Sequence, residues 1–240
     1  MTRSPAKLPK LTPVDRGTVQ ERVYQKLRNA LMKGHFGPGD PVTLRALAKA
    51  FGTSAMPVRE ALRQLVAEQA LVVMPNRTIM VPLLSAERLD EVRAIRVALE
   101  GMLAERAAGR ISESDVQKLQ GLHEDMCGVV AAGEVKRYLA LNQEFHFIIY
   151  ASAGLPAALR LVENMWLQIG PVLNFLLTKE ARSKSAKPNK NMAPIFEENH
   201  LSAVKALMRK DGPAARHAIS SDINDAADYL LSLQYFDQSA

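Results

Sequence analysis

The sequence predicts a mainly α-helical protein that consists of a small N-terminal domain and a larger, all-helical C-terminal domain. Three observations support this fold class. Two short helical patterns flank a glycine at residues 42–63, two β-rich runs follow within residues 71–81, and the strand pattern disappears after Pro82. A chain of 240 residues is long enough to bury the cores of two such domains.

The N-terminal domain begins with an amphipathic helix. Over residues 19–33, apolar side chains recur at positions 19, 23, 27, 30 and 31, which share one helical face. Gly34 ends this pattern, and the segment 36–40, which contains proline and two glycines, is typical of a turn. The first element is therefore a predicted helix followed by a turn.

Residues 42–63 predict two short helices joined by a tight turn. Gly52 suits the left-handed turn that ends the first helix, and Ser54 is the predicted N-cap of the second. Pro57 is tolerated in a first helical turn, because its missing N–H would have no partner there. Apolar positions repeat at helical spacing in both segments: Leu44, Leu47 and Ala48, then Val58, Ala61, Leu62 and Leu65.

The second of these helices carries two arginines on a face away from its leucines. Arg59 and Arg63 are four residues apart, about one helical turn. A helix-turn-helix presents basic side chains to the major groove of DNA from such a face. We therefore predict that this domain binds DNA.

Two β-rich runs complete the N-terminal domain. Residues 71–74 and 78–81 are separated by Pro-Asn-Arg, which predicts a small hairpin. Three helices and a hairpin make a winged helix-turn-helix. Arg77 lies at the predicted tip of the wing, within reach of a minor groove or a phosphate.

The remainder of the chain predicts an all-α bundle of about six helices. Ser85 is the predicted cap of the first, and glycine, proline and polar segments separate the others. The domain boundaries follow as a disordered arm at 1–16, a winged helix-turn-helix at 17–82 and a helical domain at 83–235. The predicted helices cover about 86–108, 112–133, 135–152, 156–180, 191–209 and 212–233.

Charge is distributed unevenly along the chain. Residues 1–82 contain 13 Lys and Arg against 5 Asp and Glu, whereas residues 83–240 contain 18 against 20. All of the excess positive charge therefore lies in the segment with the helix-turn-helix. This separation favours a polyanionic partner for that segment, and double-stranded DNA is the partner we expect.

Composition limits the cellular setting. The N-terminal arm is basic and rich in proline but has no apolar run behind it, so it does not resemble a secretory signal. No stretch approaches the length of a membrane span, and we predict no membrane association. Cys127 is the single cysteine and cannot form an internal disulfide, which fits a reducing cytoplasm.

The helical half contains polar residues at positions that face a core. Asn142 and His146 are four residues apart and share a helical face with Ile149. A histidine on such a face is either a satisfied core side chain or a ligand, and the spacing alone leaves both open. Two further polar residues, His200 and Asp222, lie on the last two predicted helices.

Arg96 raises a similar question. An arginine that points into a helical bundle is costly without an anionic partner. The partner is either Glu100, four residues later on the same helix, or the carboxylate of a bound effector. Both interpretations are open at this stage. Trp166 and Gln168 either line a pocket or pack within the core.

The chain resembles the GntR family of transcriptional regulators, in the FadR-like subfamily with an all-helical effector-binding domain of FCD type. The resemblance extends from about residue 17 to residue 233. One difference is Thr78, where the family has glycine after the Asn-Arg of the wing. The residues that carry the resemblance are Leu27–Leu31, Gly34, Pro38, Gly39, Leu44, Leu47, Ala48, Pro57–Leu62, Asn76 and Arg77.

The resemblance implies DNA contacts from the helix-turn-helix and the wing. It assigns contacts to Arg45 and Arg59. Thr53 and Ser54 at the turn are able to bond phosphates of the DNA backbone. A second difference is Ala55, where arginine is usual, so the operator need not match the family's commonest half-site. The expected DNA-binding residues are Arg45, Thr53, Ser54, Pro57, Arg59, Arg63, Asn76 and Arg77.

The resemblance also implies a divalent metal site in the helical domain, with Asn142, His146, His200 and Asp222 as ligands. Asn142 stands where Asp is usual, and Asp222 where His is usual. Two imidazoles, a carboxylate and an amide oxygen suit Zn²⁺, Ni²⁺ or Mn²⁺. The expected effector contacts are Arg96 and Asn142.

These expectations describe a ligand-responsive regulator that binds a palindromic operator as a homodimer. A small organic acid would bind near the metal, and repression is the commoner outcome for this architecture.

The alternative is a metal-dependent enzyme. Against it, Glu144 is two residues from both Asn142 and His146 and lies on another helical face, so it is no general base for them. A purely architectural DNA-binding protein would leave the helical half unexplained.

Overall fold

The computed structural model describes residues 19–132, 134–177 and 192–232 of the chain. The predicted mainly α fold is confirmed, whereas the arm predicted to be disordered at 1–16 lies outside the described residues. No helix among the described residues is long and apolar enough to cross a bilayer. The elements are α1 (Val19–Met32), α2 (Leu44–Phe51), α3 (Ala55–Ala67), β1 (Val72–Val73), β2 (Ile79–Met80), α4 (Ala86–Ala108), α5 (Glu113–Ala132), α6 (Val135–Ser152), α7 (Pro156–Leu177), α8 (Met192–Met208) and α9 (Gly212–Ser232).

The turn between α2 and α3 forms where the sequence requires it. Gly52 adopts a left-handed conformation with φ of 62°, and its N–H and that of Thr53 bond back to carbonyls of α2. Thr43 caps α2 by accepting a hydrogen bond from Ala46 N. Ser54 occupies the N-cap position of α3, but its side chain makes no capping hydrogen bond. The predicted N-cap position of Ser54 is therefore confirmed, although its exposed side chain does not cap the helix.

The wing is a short antiparallel hairpin in which Val72 pairs with Met80 and Val73 with Ile79. Its ladder is shorter than the two predicted runs. The N–H groups of the outer residues bond other segments, Leu71 N to Leu65 O and Val81 N to Asp40 O. The segment before α2 adds a partner, since Val42 N donates to Ile79 O at 2.8 Å. The wing is thereby tied to the body of the N-terminal domain.

The helical domain is arranged so that four helices face a common interior. α4 has its most extensive contact with α9, which also packs against α8. α6 packs against α4, α5 and α7. α4 begins at its predicted cap, where Ser85 Oγ accepts from Arg88 N. Side chains that α4, α6, α8 and α9 direct inward therefore meet, although they are far apart in the sequence.

The two domains are docked through α1 and α7. Gly170 allows the backbones to approach closely, since a Cβ built on it would lie 2.6 Å from the carbonyl oxygens of both Leu31 and Met32. An ion pair of 3.0 Å between Arg28 and Glu163 lies along the same contact. Buried residues of the winged domain and many of those of the bundle share one continuous apolar cluster.

A second connection is made by Arg88 in the first turn of α4. Its Nη2 donates to Gln69 Oε1 after α3, at 3.0 Å, and to Gln168 Oε1 on α7, at 2.8 Å. Gln69 adopts a positive φ of 60°, which is uncommon for a residue with a side chain. Arg88 thus joins the end of the helix-turn-helix to the helical bundle.

We expect Gly170→Ala to destabilise the docked arrangement by about 1–3 kcal/mol, because its methyl group would overlap two carbonyl oxygens that cannot move independently. The measurement is the free energy of unfolding from urea titrations. Gly121→Ala, at an exposed position of α5, is the matched control, since its Cβ would meet nothing within 4 Å. Equal stability of Gly170→Ala and the wild type would contradict the close contact.

Candidate functional site

The exposed face of α3 carries the arginines predicted to contact DNA. Arg59 is exposed and is in no ion pair within the described residues, whereas Arg63 pairs with Glu60 at 2.9 Å. The opposite face is held in the core by Val58, Ala61, Leu62 and Leu65. Arg59 is therefore the cation of α3 that is most available to an external anion.

The other predicted DNA contacts lie on the neighbouring elements of the same small domain. Arg45 is exposed on α2, and Ser54 is exposed in the turn, whereas Thr53 and Pro57 are half-buried. Asn76 and Arg77 are exposed at the tip of the wing. The structure thus distributes these residues over α2, α3 and the wing, and their contact with DNA stays a prediction.

The threonine that replaces the usual glycine in the wing is accommodated without strain. The left-handed residue of this turn is Arg77, with φ of 65°, and not Thr78. Asn76 Oδ1 accepts a hydrogen bond from Thr78 N at 3.0 Å and stabilises the turn. Position 78 therefore does not require glycine in this chain.

Three of the four predicted metal ligands meet in the interior of the bundle. His146 on α6, His200 on α8 and Asp222 on α9 are all buried, the two histidines to 1% exposure. The two Nε2 atoms are 3.4 Å apart. Asp222 Oδ2 lies 3.3 Å from His146 Nε2, and Asp222 Oδ1 lies 3.4 Å from His200 Nε2.

The electrostatics of this cluster favour neutral imidazole beside ionised carboxylate. Burial lowers the pKa of His200 to about 4, although Asp222 opposes this shift. Burial would raise the pKa of Asp222, but the nearby His200, His146 and Arg96 outweigh it and hold that pKa below its usual value. At neutral pH, His200 and Asp222 are therefore in the protonation states that a metal ion requires.

The geometry fits a tetrahedral divalent ion. Donor atoms that are bound at 2.0–2.1 Å to one tetrahedral centre are about 3.3–3.4 Å apart. The two Nε2 atoms have this spacing, and each lies 3.3–3.4 Å from a different oxygen of Asp222. Asp222 Oδ1 is buried and accepts no hydrogen bond, which is costly for a carboxylate oxygen unless a cation lies beside it. His146, His200 and Asp222 would hold the ion.

The fourth predicted ligand is Asn142, one helical turn before His146 on α6. Its side chain is half-buried. The four-residue spacing puts it on the face of α6 that carries His146, and its role as a ligand or an effector contact stays a prediction.

Sequence reasoning missed a buried hydrogen-bond network beside the cluster. Glu100 on α4 is fully buried and accepts hydrogen bonds from Arg96, Tyr150 and Trp166. Tyr150 also bonds His146 Nδ1 at 2.9 Å, and burial together with Glu100 raises its pKa well above the usual value. The available signal was the spacing of Tyr150, four residues after His146 on the same helical face.

Arg96 pairs with Glu100, the partner four residues later on the same helix that the sequence offered. Its Nε and Nη2 bond the two carboxylate oxygens of Glu100 at 2.6 and 3.1 Å, and its guanidinium lies 5.0 Å from the Trp166 ring centroid. The pair is almost fully buried. Effector binding by Arg96 stays a prediction, since an effector carboxylate would share this guanidinium with Glu100.

The remaining polar residues of this region do not join the cluster. Glu144 is exposed on α6 and pairs with Lys118 at 2.6 Å, in agreement with its predicted position on another face. His217 is exposed on α9. No acidic side chain other than Asp222 joins the two histidines within the described part of the chain.

Two cavities lie near these features. The larger, of about 340 Å³, is at the junction of the two domains and borders Arg88. The other borders Arg96 and has a volume of about 10 Å³, room for about one water molecule. The larger cavity is lined by Val66, Gln69, Leu71, Val72, Val73, Pro82, Leu83, Leu84, Arg88 and Gln168.

Comparison with known proteins assigns the family. Residues 19–81 match the gntR family of bacterial regulatory proteins, and residues 91–225 match the FCD domain. The HTH-type transcriptional regulator McbR of Escherichia coli K12 is 30% identical over 199 residues, which cover 83% of this chain and 86% of McbR. A solved structure of E. coli McbR/YncC has a TM-score of 0.81 at 29% identity, covering 91% of this chain and 99% of that chain. A probable D-xylose utilization operon transcriptional repressor from Paenarthrobacter nicotinovorans is 28% identical over 208 residues, 87% of each chain.

The chain therefore belongs to the GntR family of bacterial transcriptional regulators and carries a C-terminal FCD domain. The resemblance found in the sequence is confirmed. Members of this family and the relatives named above are transcriptional regulators and not enzymes, so the enzyme alternative does not apply to this chain.

Proposed function

We propose that this regulator is a repressor that binds a palindromic operator as a homodimer. In this proposal, its helical domain holds a divalent metal ion and senses a small organic acid. The observation that carries the proposal is the combination of a basic helix-turn-helix with a buried His146–His200–Asp222 cluster in one docked molecule. The relative from P. nicotinovorans is named a repressor, which supports the sign of regulation.

The DNA-binding part of the proposal rests on the exposed cations of the first domain. α3 would enter the major groove with Arg59 directed at base edges or phosphates. Arg77 at the wing tip would reach the adjacent minor groove or backbone. Two copies related by a two-fold axis would place two such helices on the two halves of a palindrome.

We expect Arg59→Ala to weaken specific operator binding by about 1–3 kcal/mol without unfolding the protein, because the side chain is exposed and unpaired in the described structure. The measurement is fluorescence anisotropy on DNA from the region upstream of the gene, over a series of salt concentrations. Arg209→Ala is the matched control, because Arg209 is exposed just after α8, outside the winged domain. Unchanged affinity of Arg59→Ala would refute the role of α3.

The metal part of the proposal rests on the donor set. Two buried imidazoles and a carboxylate whose spacing matches a tetrahedral edge favour Zn²⁺, and they also suit Ni²⁺ or Mn²⁺. A bound ion would supply a Lewis-acidic position to which an effector carboxylate can coordinate. Asn142 would complete the coordination or orient the effector. Oxygen donors of the effector and the protein ligands would then coordinate the same ion.

We expect chelator-stripped protein to take up one zinc ion per chain, because the cluster supplies three donors to a single centre. His146→Ala and His200→Ala should lose most of this zinc, as measured by inductively coupled plasma mass spectrometry after dialysis. His217→Ala removes an exposed histidine from α9 and should retain it. A wild-type protein that stays metal-free after zinc is restored would contradict the ligand set.

The effector signal has a structural route to the winged domain through α7. On one side, Trp166 of this helix donates to Glu100 and its ring is 5.4 Å from that of His146. On the other side, Gly170 packs against α1 and Glu163 pairs with Arg28. A shift of α7 on effector binding would therefore move the DNA-binding domain, with a coupling of about 1–3 kcal/mol as in other two-site systems.

An effector that binds beside Arg96 would have to open its site. The cavity beside Arg96 has a volume of only about 10 Å³, so an organic acid would displace the side chains that α4, α7 and α9 pack around it. This displacement is the step that would link effector binding to the position of α7.

A further inference from the structure

A buried chain of hydrogen bonds extends from the candidate metal ligands to a fixed ion pair. Arg96 holds both carboxylate oxygens of Glu100, at 2.6 and 3.1 Å. The Tyr150 hydroxyl lies 2.5 Å from Glu100 Oε2 and 2.9 Å from His146 Nδ1. Trp166 Nε1 completes the surroundings of Glu100 at 3.2 Å. Every donor in this chain belongs to a residue that is at least nine-tenths buried.

The direction of each hydrogen bond follows from the number of protons. The carboxylate of Glu100, balanced by the Arg96 guanidinium, can only accept. Tyr150 has a single hydroxyl proton and donates it to Glu100, which leaves only lone pairs on its oxygen for His146. His146 Nδ1 must therefore be the donor in its bond to Tyr150, and it carries the ring proton.

When the imidazole is neutral, the opposite ring nitrogen then has a free lone pair. His146 Nε2 faces Asp222 Oδ2 at 3.3 Å and His200 Nε2 at 3.4 Å. A bare nitrogen and a carboxylate oxygen that face each other at this distance are two acceptors without a shared proton. Such a pair is stabilised by a cation placed between them, which is what a divalent ion supplies.

We propose that Tyr150, anchored by Glu100 and Arg96, is a positioning residue that fixes His146 as the Nδ1–H tautomer and so presents Nε2 to a divalent ion. The metal half of this inference rests on the proposed function, whereas the tautomer is a property of the metal-free chain. Arg96 and Glu100 act through Tyr150 and are not themselves ligands.

This arrangement explains why an ion pair is buried beside the cluster. A tyrosine hydroxyl alone can rotate and either donate to or accept from an imidazole. The fully buried carboxylate of Glu100 removes that freedom, and the bidentate Arg96 keeps the carboxylate in place. The ring orientation and the tautomer of His146 are then set before any ion arrives, which lowers the cost of metal binding.

The test compares full-length wild type, Tyr150→Phe and Tyr229→Phe. Tyr229 is half-buried on α9 and packs against the separate cluster of Leu89, Ile169, Val172 and Leu230, so its substitution is the matched control. The first measurement is the protonation of each His146 ring nitrogen in chelator-treated protein by long-range ¹H–¹⁵N NMR. The His146 signals are assigned by their loss in His146→Gln.

The second measurement is the zinc dissociation constant by competition with a chelating dye. The wild type and Tyr229→Phe should show a protonated Nδ1, and Tyr150→Phe should show a mixture of tautomers. Zinc affinity should fall by about 10–100-fold in Tyr150→Phe alone, the usual loss when an outer hydrogen bond to a histidine ligand is removed.

Two results would overturn the inference. One is a wild-type His146 with no proton on Nδ1, which needs no variant to detect and so does not depend on the folding of Tyr150→Phe. The other is a Tyr150→Phe protein with unchanged tautomer and zinc affinity. Failure of the wild type to bind zinc would instead contradict the proposed metal site, while the metal-free spectra would still decide the role of Tyr150.

Discussion

The buried pair of Arg96 and Glu100 is the interaction on which the polar interior of the helical domain depends. Burying two charges costs several kcal/mol per ion, and an apolar pair of similar size is often the more stable choice. The cost is offset here because Glu100 also accepts from Tyr150 and Trp166. Removal of any one of these partners would leave polar groups unsatisfied in the core. We infer that the pair serves the polar site beside it more than the stability of the bundle.

The same interior connects the site to the DNA-binding domain. Glu100 lies on α4, which starts directly after the wing, and Trp166 lies on α7, which packs on α1. Two of the helices that enclose the polar network therefore also hold the winged domain, through Arg88 on α4 and Gly170 on α7. A change in the network would be transmitted by rigid helices and close backbone contacts, without a flexible linker between the site and α1.

Local patterns in the sequence were sufficient for the fold but not for the whole site. Gly52 and Ser85 predicted helix boundaries, because turns and caps depend on a few neighbouring residues. The pairing of Arg96 with Glu100 was also accessible, since both lie four residues apart on one helix. The meeting of His146 with His200 was implied only by family resemblance, because it depends on how two distant helices pack. The role of Tyr150 was missed for a further reason, because it depends on Glu100, which another helix supplies. Ser54 shows that even a local prediction has limits, since it occupies the N-cap position without making a capping hydrogen bond.

The most direct test of this account is an anomalous-diffraction map of zinc-soaked crystals of the full-length protein. The account predicts one anomalous peak in the helical domain, within bonding distance of His146 Nε2, His200 Nε2 and the Asp222 carboxylate, with His146 Nδ1 still bonded to Tyr150. A peak bound through His146 Nδ1, or zinc found only at surface sites such as His217, would contradict it.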